Sequence, residues 1–287
     1  MPFSAHEHIV MKPEEFRLLR DLIAQKTGIS FGLDARSTLE RRLRDRLLAL
    51  SLPNFAEYFQ YLRFNPRASA EWDEAIEVLT TNETYFYRED YQLRAFKTEV
   101  LPMLAAQNKN KKSLSIWSAG CSTGEEVYTI AILVFETRLF DGWDIRVFGS
   151  DISRRCVATA RAGVYGSAAF RTTSPEAKRA YFAERTGGVH VHERIREMCQ
   201  FGQLNLLDDQ RARLLGKFDA IFCRNVLIYF DAHARRCVID MFLERLNPGG
   251  VLLLGHSESL LNVSTAFELL HLKEDLVYRK PSRTGVP

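Results

Sequence analysis

Two adjacent glutamates follow a glycine-rich turn in the sequence SLSIWSAGCSTGEEVYTIAILVF, residues 113–135. The pattern predicts a strand, a turn with Gly120 and Gly124, and a helix that begins at Glu125. Such a turn presents backbone N–H groups and the positive end of a helix dipole to a ligand. Phosphate-binding loops carry Lys and then Ser or Thr where this chain has Glu125 and Glu126, so a phosphate would be repelled. The expected ligand is a nucleoside with cationic groups.

S-adenosylmethionine is the common cofactor of that description, since it carries a sulfonium and an ammonium group. Asp151 follows the next strand, about one βα unit further on, where a carboxylate can accept hydrogen bonds from both ribose hydroxyls. The alternative for Asp151 is a helix N-cap ahead of Ser153. Arg224 and Asn225 follow a later strand. Because ligands of open α/β sheets bind at the carboxyl ends of the strands, we expect these side chains to share one pocket.

A dinucleotide-dependent dehydrogenase is the main competing class, because it also has a strand, a glycine turn, a helix and a later Asp. Its fingerprint requires G-x-G-x-x-G, whereas this turn has only Gly120 and Gly124, with no basic residue nearby in sequence. The acidic start of the helix also disfavours a pyrophosphate. The sequence therefore favours the first interpretation.

Composition excludes several other classes. The 287 residues have a net charge of +3, which is too small to indicate general nucleic-acid binding. The five cysteines are an odd number without a C-x-x-C pair, which argues against a disulfide framework or a zinc knuckle. Cys121 lies in the glycine turn, but the neighbouring glutamates would raise its pKa and make it a poor nucleophile. His190 and His192 alternate along a predicted strand without a completing cluster, so we expect no metal site.

The N-terminal sequence MPFSAHEHIVMKPEEF lacks the order of basic and apolar residues that defines a signal peptide. No segment approaches the ~18 uncharged apolar residues of a membrane-spanning helix. We therefore expect a cytoplasmic protein that does not insert into a membrane.

Residues 1–80 have a purely helical pattern. Residues 13–26 begin with Pro-Glu-Glu and end before Gly28, which is typical of a helix start and stop. After this helix, leucines recur at helical spacing, at Leu39, Leu43, Leu47 and Leu50. Further helical patterns cover residues 55–63 and 70–79. Arginines surround these leucines: Arg36, Arg41, Arg42, Arg44 and Arg46. They form either a solvated face or a docking face for an acidic partner, and their place beside a catalytic domain favours docking.

From residue 89 onward, helical and strand patterns alternate, which predicts a doubly wound α/β sheet. The strands are expected at residues 114–117, 144–148, 218–223 and 251–254, and the helices at 91–107, 125–139, 153–161 and 232–246. Residues 165–203 break this alternation, and Gly187-Gly188 indicates a hairpin. The expected organisation is an all-α domain over residues 1–80 and an α/β domain over 81–287 with a small β-subdomain inserted at about 165–203.

Six segments in order resemble the chemotaxis receptor methyltransferases, the CheR family. They are TNETYFYRED (81–90), IWSAGCSTGEEVYTIAI (116–132), GSDIS (149–153), NLL (205–207), CRNVLIYF (223–230) and GHSES (255–259). The resemblance implies a Rossmann-like class I S-adenosylmethionine-dependent methyltransferase sheet with a β-subdomain insertion, preceded by the all-α domain. It also implies methyl esterification of glutamate side chains on the cytoplasmic helical bundle of chemoreceptors, with S-adenosylhomocysteine as the second product.

The resemblance implies a role for each matching residue. Asn82, Thr84 and Arg88 match a segment that contacts the cofactor. Glu125 matches the acidic residue of the glycine turn, and Asp151 matches the acidic residue that binds the ribose. Asn205 and Leu206 match the adenine-side contacts, and Arg224 and Asn225 the loop beside the methionine moiety. Arg88 and Tyr229 match the catalytic positions that orient the substrate glutamate. The alternatives are that Tyr229 is a core residue and that Thr84 caps a turn.

Other functions remain as alternatives. A nucleic-acid methyltransferase shares the cofactor fold, but it normally carries NPPY or DPPY after the fourth strand, where this chain has CRNVLIY. A methyltransferase of another protein and a non-enzymatic cofactor-binding adaptor are also open. The hairpin RTGGVHVHE (185–193) is shorter than in family members that hold a receptor's C-terminal peptide. We therefore expect a monomeric enzyme that recognises receptors without that peptide, through its N-terminal domain.

Overall fold

The computed structural model describes residues 9–282, which form two compact units. The first unit contains the chain through Thr81 together with Tyr229–Ala234, and the second contains Asn82–Ile228 and the chain from Arg235 onward. Residues 229–234, which the sequence assigns to the α/β domain, thus group with the helical unit. The first eight residues, where a signal peptide would begin, lie outside the described residues.

Within residues 9–81, the first unit contains four helices: α1 (Pro13–Thr27), α2 (Arg36–Ala49), α3 (Phe55–Phe64) and α4 (Ala68–Leu79). The predicted start of α1 is confirmed, and the helix ends at Thr27, one residue later than predicted. Its first turn is closed by Glu15, whose carboxylate accepts a hydrogen bond from Lys12 N–H at 2.7 Å, and its end is set by Gly28 with φ of 80°. The apolar faces of the helices form one core that includes Phe16, Leu19, Ile23, Leu39, Leu43, Leu47, Phe55 and Tyr58.

The arginines of α2 differ in their surroundings. Arg46 donates to both carboxylate oxygens of the buried Glu71, at 3.0 and 2.6 Å. Arg42 and Arg44 also form hydrogen bonds within the helical unit. Two arginines of this helix are exposed, Arg36 and Arg41. The helix therefore combines structural arginines with a smaller exposed basic surface.

The described part of the second unit contains ten strands: β1 (Ser113–Ala119), β2 (Asp144–Asp151), β3 (Val164–Tyr165), β4 (Phe182–Arg185), β5 (Gly188–Val191), β6 (Cys199–Gln203), β7 (Phe218–Cys223), β8 (Leu246–Leu254), β9 (Glu268–His271) and β10 (Leu276–Arg279). Seven of them form the main sheet in the order β6-β2-β1-β7-β8-β10-β9. The first five in this order are parallel, and β10 and β9 are antiparallel. β7 is buried along its whole length, as expected for a central parallel strand.

Helices alternate with these strands, which confirms the predicted doubly wound architecture. They are α5 (Asp90–Ala95), a π-helical turn (Phe96–Val100), α6 (Leu101–Gln107), α7 (Glu125–Thr137), α8 (Arg154–Ala162), α9 (Pro175–Tyr181), α10 (Glu193–Arg196), α11 (Asp209–Arg213) and α12 (Ala232–Arg245). Among residues 9–282, no helix has the length and apolar character needed to cross a membrane.

The inserted β-subdomain is a three-stranded antiparallel sheet in the order β3-β5-β4. The hairpin predicted at Gly187-Gly188 is confirmed, and both glycines have positive φ. The predicted extent of the insertion differs from the structure at its end. Cys199–Gln203 pairs in parallel with β2 and so belongs to the main sheet. The prediction included it in the insertion because the short polar strand CQFGQ has no sequence pattern that separates it from the residues before it.

Candidate active site

The turn between β1 and α7 requires glycine at two positions. Gly120 and Gly124 have φ of 81° and 96°, which other residues rarely adopt. A Cβ on Gly120 would lie 2.4 Å from Cγ2 of Val226, and a Cβ on Gly124 would lie 2.7 Å from Cβ of Ala160. The backbone of this turn therefore passes unusually close to the neighbouring segments, which explains the glycines of the motif.

The carboxyl ends of β1 and β2 are joined by hydrogen bonds. Gly120 N–H donates to the Ser150 carbonyl oxygen at 2.8 Å, and Ser122 N–H donates to Asp151 Oδ2 at 2.8 Å. Ser122 Oγ also donates to the Asn82 carbonyl oxygen at 3.4 Å. The structure thus brings the glycine turn, Asp151 and the start of the segment at residues 82–88 to one edge of the sheet, as expected.

Asp151 is 7% exposed, and its Oδ1 accepts a second backbone hydrogen bond from Ser153 N–H at 2.9 Å. The N-cap of α8 is Ser153, whose Oγ accepts from Cys156 N–H at 3.0 Å. The alternative in which Asp151 caps this helix is therefore wrong. The carboxylate is held at the end of β2, and a carboxylate can accept more than two hydrogen bonds.

Glu125 is the first residue of α7 and is only 4% exposed. Burial raises the pKa of its carboxyl, although the hydrogen bond from Thr123 Oγ1 to Glu125 Oε2, at 2.7 Å, acts in the opposite direction. A cation placed beside this carboxylate would relieve the cost of its ionisation. The position therefore suits the positively charged part of a ligand.

Glu126 is paired with a residue that is remote in the sequence. Arg224 Nη1 donates to Glu126 Oε2 at 3.0 Å, and Ser118 Oγ donates to Glu126 Oε1 at 2.7 Å. A basic residue thus lies near the turn in space although none lies near it in sequence, since β7 ends beside the start of α7. Of the two turn glutamates, Glu126 is compensated by a fixed cation.

The side chain of Arg224 is only 2% exposed and connects three segments. Its Nη2 donates to the Arg88 carbonyl oxygen at 2.6 Å and to Glu89 Oε2 at 3.0 Å. Burial opposes the charge of Arg224, but Glu126 and Glu89 outweigh it and raise the pKa of the guanidinium. Burial likewise opposes ionisation of Glu89, but Arg224 prevails and lowers the pKa of that carboxyl. Both Nη atoms of Arg224 therefore have protein partners.

The segment with Asn82, Thr84 and Arg88 lies beside the glycine turn. Asn82 is exposed, and Thr84 and Arg88 are half-buried. Arg88 Nη1 donates to the Glu83 carbonyl oxygen at 2.6 Å, and its guanidinium lies 5.8 Å from the centre of the Tyr85 ring. No hydrogen bond of Thr84 occurs within residues 9–282, so its hydroxyl does not cap a turn there.

Asn205 and Leu206 follow β6 and lie next to the end of β2, because Leu204 N–H donates to the Asp151 carbonyl oxygen at 2.9 Å. Asn205 Oδ1 accepts from Leu207 N–H at 3.0 Å, and Leu206 is 7% exposed. The structure therefore places both residues near Asp151, consistent with one extended pocket.

Asn225 adopts a left-handed conformation with φ of 59°. Its Nδ2 donates to Glu89 Oε1 at 3.3 Å. The loop that follows is fixed by Glu258, whose carboxylate accepts from the N–H groups of Asn225, Val226, Ile228 and Gly255 at 2.8, 2.9, 3.2 and 2.8 Å. Local sequence patterns indicate no role for Glu89 or Glu258 and do not predict the pairing of Glu126 with Arg224, because the partners Arg224 of Glu89 and Glu126 and Asn225 of Glu258 are remote in sequence.

Tyr229 closes a 3₁₀ turn, Leu227–Tyr229, and belongs to the first unit. It is 38% exposed, so the alternative that Tyr229 is a core residue is wrong. Its carbonyl oxygen accepts from Ser30 N–H at 2.8 Å, a contact within the first unit. The side chain is thus accessible to solvent.

Cys121 does not have the properties of a nucleophile. It is 2% exposed, and burial is the main cause that raises the pKa of its thiol, followed by the charge of Asp151. His190 and His192 are half-buried. Within the described part of the chain, no three His, Cys, Asp or Glu side chains converge in a way that could hold a metal ion.

The residues at this edge of the sheet fit S-adenosylmethionine by their chemistry. Glu125 and Asp151 are buried acceptors suited to cationic groups and hydroxyls, and Arg224 is occupied by Glu89 and Glu126. A mostly parallel, doubly wound sheet with an acidic glycine turn and an acid at the end of β2 defines the class I S-adenosylmethionine-dependent methyltransferases.

The chain belongs to the CheR methyltransferase family. Residues 14–80 match the family's all-alpha domain, and residues 82–276 match its SAM binding domain. The chain is 36% identical over 277 residues to chemotaxis protein methyltransferase 2 of Vibrio cholerae, covering 96% of both chains. It is also 36% identical over 268 residues to the chemotaxis protein methyltransferase of Salmonella typhimurium, covering 92% of this chain and 90% of that protein. The chain is accordingly an S-adenosylmethionine-dependent methyltransferase.

Solved structures with a similar arrangement include an O-methyltransferase family protein from Burkholderia thailandensis. The TM-score is 0.41 with 14% identity, and the match covers 77% of this chain and 61% of the other. A likeness of this size adds nothing to the family assignment.

Proposed function

We propose that this enzyme transfers the methyl group of S-adenosylmethionine to glutamate side chains on the cytoplasmic helical bundle of chemoreceptors and forms glutamate methyl esters. The observation that carries the proposal is the match to both CheR domains, which together span residues 14–276. The relatives from Vibrio cholerae and Salmonella typhimurium are named chemotaxis protein methyltransferases, which supports a chemoreceptor substrate.

The proposed cofactor site uses acceptors at the ends of β1, β2 and β6. Asp151 would bind the ribose hydroxyls, and Glu125 would face the cationic part of the cofactor. Their burial, at 7% and 4% exposure, supports this assignment because buried acceptors form strong hydrogen bonds. The other proposed cofactor contacts are Asn82, Thr84, Arg88, Asn205, Leu206, Arg224 and Asn225.

The chemistry requires positioning more than acid–base catalysis. When bound, S-adenosylmethionine supplies an electrophilic methyl group on its sulfonium. The substrate glutamate has a reference pKa of about 4.3 and is already ionised at neutral pH, so no general base is needed. We assign to Arg88 and Tyr229 the orientation of the substrate glutamate, in which one donor, from either residue, holds one carboxylate oxygen while the other oxygen remains free to attack. Alignment of this kind can contribute up to about 7–11 kcal/mol.

Receptor recognition is proposed to involve the helical unit and not a C-terminal receptor peptide. The two residues of the turn between β4 and β5, at 186 and 187, leave a hairpin without an extended loop. Arg36 and Arg41 are exposed on α2 and offer positive charge to an acidic helical surface. We expect similar initial rates on receptors with and without their terminal peptide, whereas a strong dependence on the peptide would contradict this part of the proposal.

The enzyme is further proposed to act as a cytoplasmic monomer.

The decisive experiment for the proposed reaction incubates the enzyme with methyl-labelled S-adenosylmethionine and receptor cytoplasmic fragments and then treats the product with mild base. Release of the label as methanol is expected, because a carboxylate ester hydrolyses in base. Label that persists would indicate methylation of an amine, amide or nucleobase and would favour another methyltransferase function. Binding of cofactor without transfer to any receptor would indicate an adaptor.

A further inference from the structure

Tyr165, in β3 of the β-subdomain, reaches the glycine turn of the cofactor site. Its side chain is buried, and its hydroxyl donates to the Thr123 carbonyl oxygen at 2.7 Å. Thr123 in turn donates through Oγ1 to Glu125 Oε2 at 2.7 Å. A Cβ on Gly124 would lie 3.1 Å from the Tyr165 hydroxyl, so the turn and this side chain are closely packed. Tyr165 is therefore two hydrogen bonds away from the carboxylate of Glu125.

The same side chain also contacts the segment that carries Arg88. The rings of Tyr165 and Phe86 meet edge to face, with centroids 4.9 Å apart. Phe86 is fully buried, its N–H donates to the Ala169 carbonyl oxygen at 2.9 Å, and its carbonyl oxygen accepts from Thr172 Oγ1 at 2.7 Å. Its ring also packs on the rings of Phe170 and Phe182. The β-subdomain therefore surrounds the middle of this segment.

A second contact between the β-subdomain and the segment lies at the surface. The Arg171 guanidinium lies 3.7 Å from the centre of the Tyr85 ring and forms an ion pair with Glu83 Oε1 at 2.7 Å. The carbonyl oxygen of Glu83 accepts the hydrogen bond from Arg88. Because this contact is exposed, it contributes less to stability than the buried one around Phe86.

We propose that Tyr165 is a positioning residue for methyl transfer, which fixes the glycine turn and the residues 82–88 in one arrangement. The β-subdomain is then a structural part of the cofactor site. The hydroxyl acts on the turn with Glu125, and the ring acts on the segment with Arg88. This inference rests on the proposed function, because the roles of Glu125 and Arg88 are part of it.

The test compares Tyr165→Phe with Tyr128→Phe. Tyr128 is a matched control, since it is also buried and its hydroxyl also donates to a backbone carbonyl oxygen at 2.7 Å, that of Ala160, which lies outside the turn. Calorimetry measures the affinity for S-adenosylhomocysteine, and thermal unfolding measures stability. We expect similar losses of stability in both variants, and a decrease in affinity of about three- to tenfold for Tyr165→Phe alone, the equivalent of one hydrogen bond. Equal affinities in the two variants would overturn the proposal.

A second variant, Tyr165→Leu, separates the ring from the hydroxyl. It removes the contact with Phe86, so the turnover number at saturating S-adenosylmethionine should fall below that of wild type. Tyr165→Phe keeps the ring, so its turnover number at saturating S-adenosylmethionine should remain close to that of wild type. Equal turnover numbers for the Leu and Phe variants would overturn the part assigned to the ring. A wild-type protein that binds S-adenosylhomocysteine but esterifies no receptor would overturn the proposed function, while the calorimetric comparison would still decide the role of the hydroxyl.

Discussion

Arg224 Nη1 lies 3.0 Å from Glu126 Oε2, which joins the end of β7 to the first turn of α7. The partners are 98 residues apart in sequence and nearly buried, with side-chain exposures of 2% and 16%. The pair changes the electrostatics expected from two adjacent glutamates. Glu126 is neutralised within the protein, and Glu125 is the turn carboxylate whose ionisation is opposed by burial.

Replacement of Arg224 by methionine should destabilise the protein strongly. The variant leaves Glu89 and Glu126 without their buried cation, and loss of one partner of a buried ion pair costs about 3–5 kcal/mol. Urea unfolding measures the effect. The matched control is Arg94→Met, which removes exposed ion pairs of Arg94 and should cost less than about 1 kcal/mol. Equal losses in the two variants would show that the buried pairs contribute no more than surface pairs.

The same substitution should change how stability depends on pH. Arg224 holds the pKa of Glu89 below its ordinary value against the effect of burial. The resulting stability is present above the unfolded pKa of about 4.3 and is lost as the pH falls through the lower folded pKa. We therefore expect the difference in free energy of unfolding between wild type and Arg224→Met to shrink as the pH falls below about 4.3. A difference that is constant from pH 7 to pH 3 would contradict this.

Glu125→Gln should have opposite effects on stability and on cofactor binding. Burial raises the folded pKa of Glu125, so its favourable contribution is present below the unfolded pKa of about 4.3 and is lost as the pH rises through the folded pKa. A neutral glutamine avoids this loss. The cofactor-free variant should therefore unfold at a higher temperature than wild type at pH 7, and at a similar temperature near pH 4. Affinity for S-adenosylmethionine should fall about tenfold or more, since a charged acceptor is lost.

Glu126→Gln is the matched control for this prediction. It changes the neighbouring residue in the same way but breaks the ion pair with Arg224, so it should lower the unfolding temperature at pH 7. Scanning calorimetry at the two pH values distinguishes the variants. If Glu125→Gln also lowers the unfolding temperature, burial does not dominate the ionisation of Glu125 in the folded protein.

The local patterns of the chain predicted the four strands β1, β2, β7 and β8 of the main sheet and the position of its glycine turn, but not β6, β9 or β10. Gly120, Gly124 and Asp151 were located because a strand, a turn and a helix follow one another within a short stretch, and that order determines where the strand ends lie. The extent of the insertion was less predictable, because the strand Cys199–Gln203 has no apolar alternation that would distinguish it from its surroundings.

Contacts between remote segments could not be predicted from local patterns. The pairing of Arg224 with Glu126 depends on β7 lying next to β1, which sequence spacing alone does not specify. The role of Glu258 is a similar case, since four backbone N–H groups from two loops converge on its carboxylate. The hydrogen bond of Tyr165 to the glycine turn likewise requires that β3 lie beside the turn.

Asp151→Ala should weaken both cofactor binding and the fold. Its carboxylate accepts hydrogen bonds from Ser122 N–H and Ser153 N–H, and two buried donors left without partners cost about 1–3 kcal/mol each. Separately, loss of the ribose hydrogen bonds should weaken the free energy of cofactor binding by about 1.5–3 kcal/mol. The control Ser153→Ala removes the N-cap of α8 and should lower stability by about 1 kcal/mol with cofactor affinity unchanged. Calorimetry that finds equal affinities in both variants would remove Asp151 from the cofactor site.

Tyr229→Phe should lower methyl transfer to receptors more than it lowers cofactor affinity. No hydrogen bond of the Tyr229 hydroxyl occurs within residues 9–282, and the ring is 38% exposed, so its loss should leave stability nearly unchanged. If the hydroxyl orients the substrate carboxylate, the turnover number should fall about tenfold or more, since a hydrogen bond to a charged group is lost.

The control for Tyr229→Phe is Tyr58→Phe, which removes the hydrogen bond from Tyr58 to Glu71, at 2.7 Å, in the core of the helical unit. This variant should lose stability but keep the turnover number of the folded enzyme. Initial rates with receptor fragments, calorimetry with S-adenosylhomocysteine and urea unfolding together separate the two effects. An equal decrease of turnover and cofactor affinity in Tyr229→Phe would place the hydroxyl on the cofactor, because a group that touches only the substrate leaves cofactor affinity unchanged.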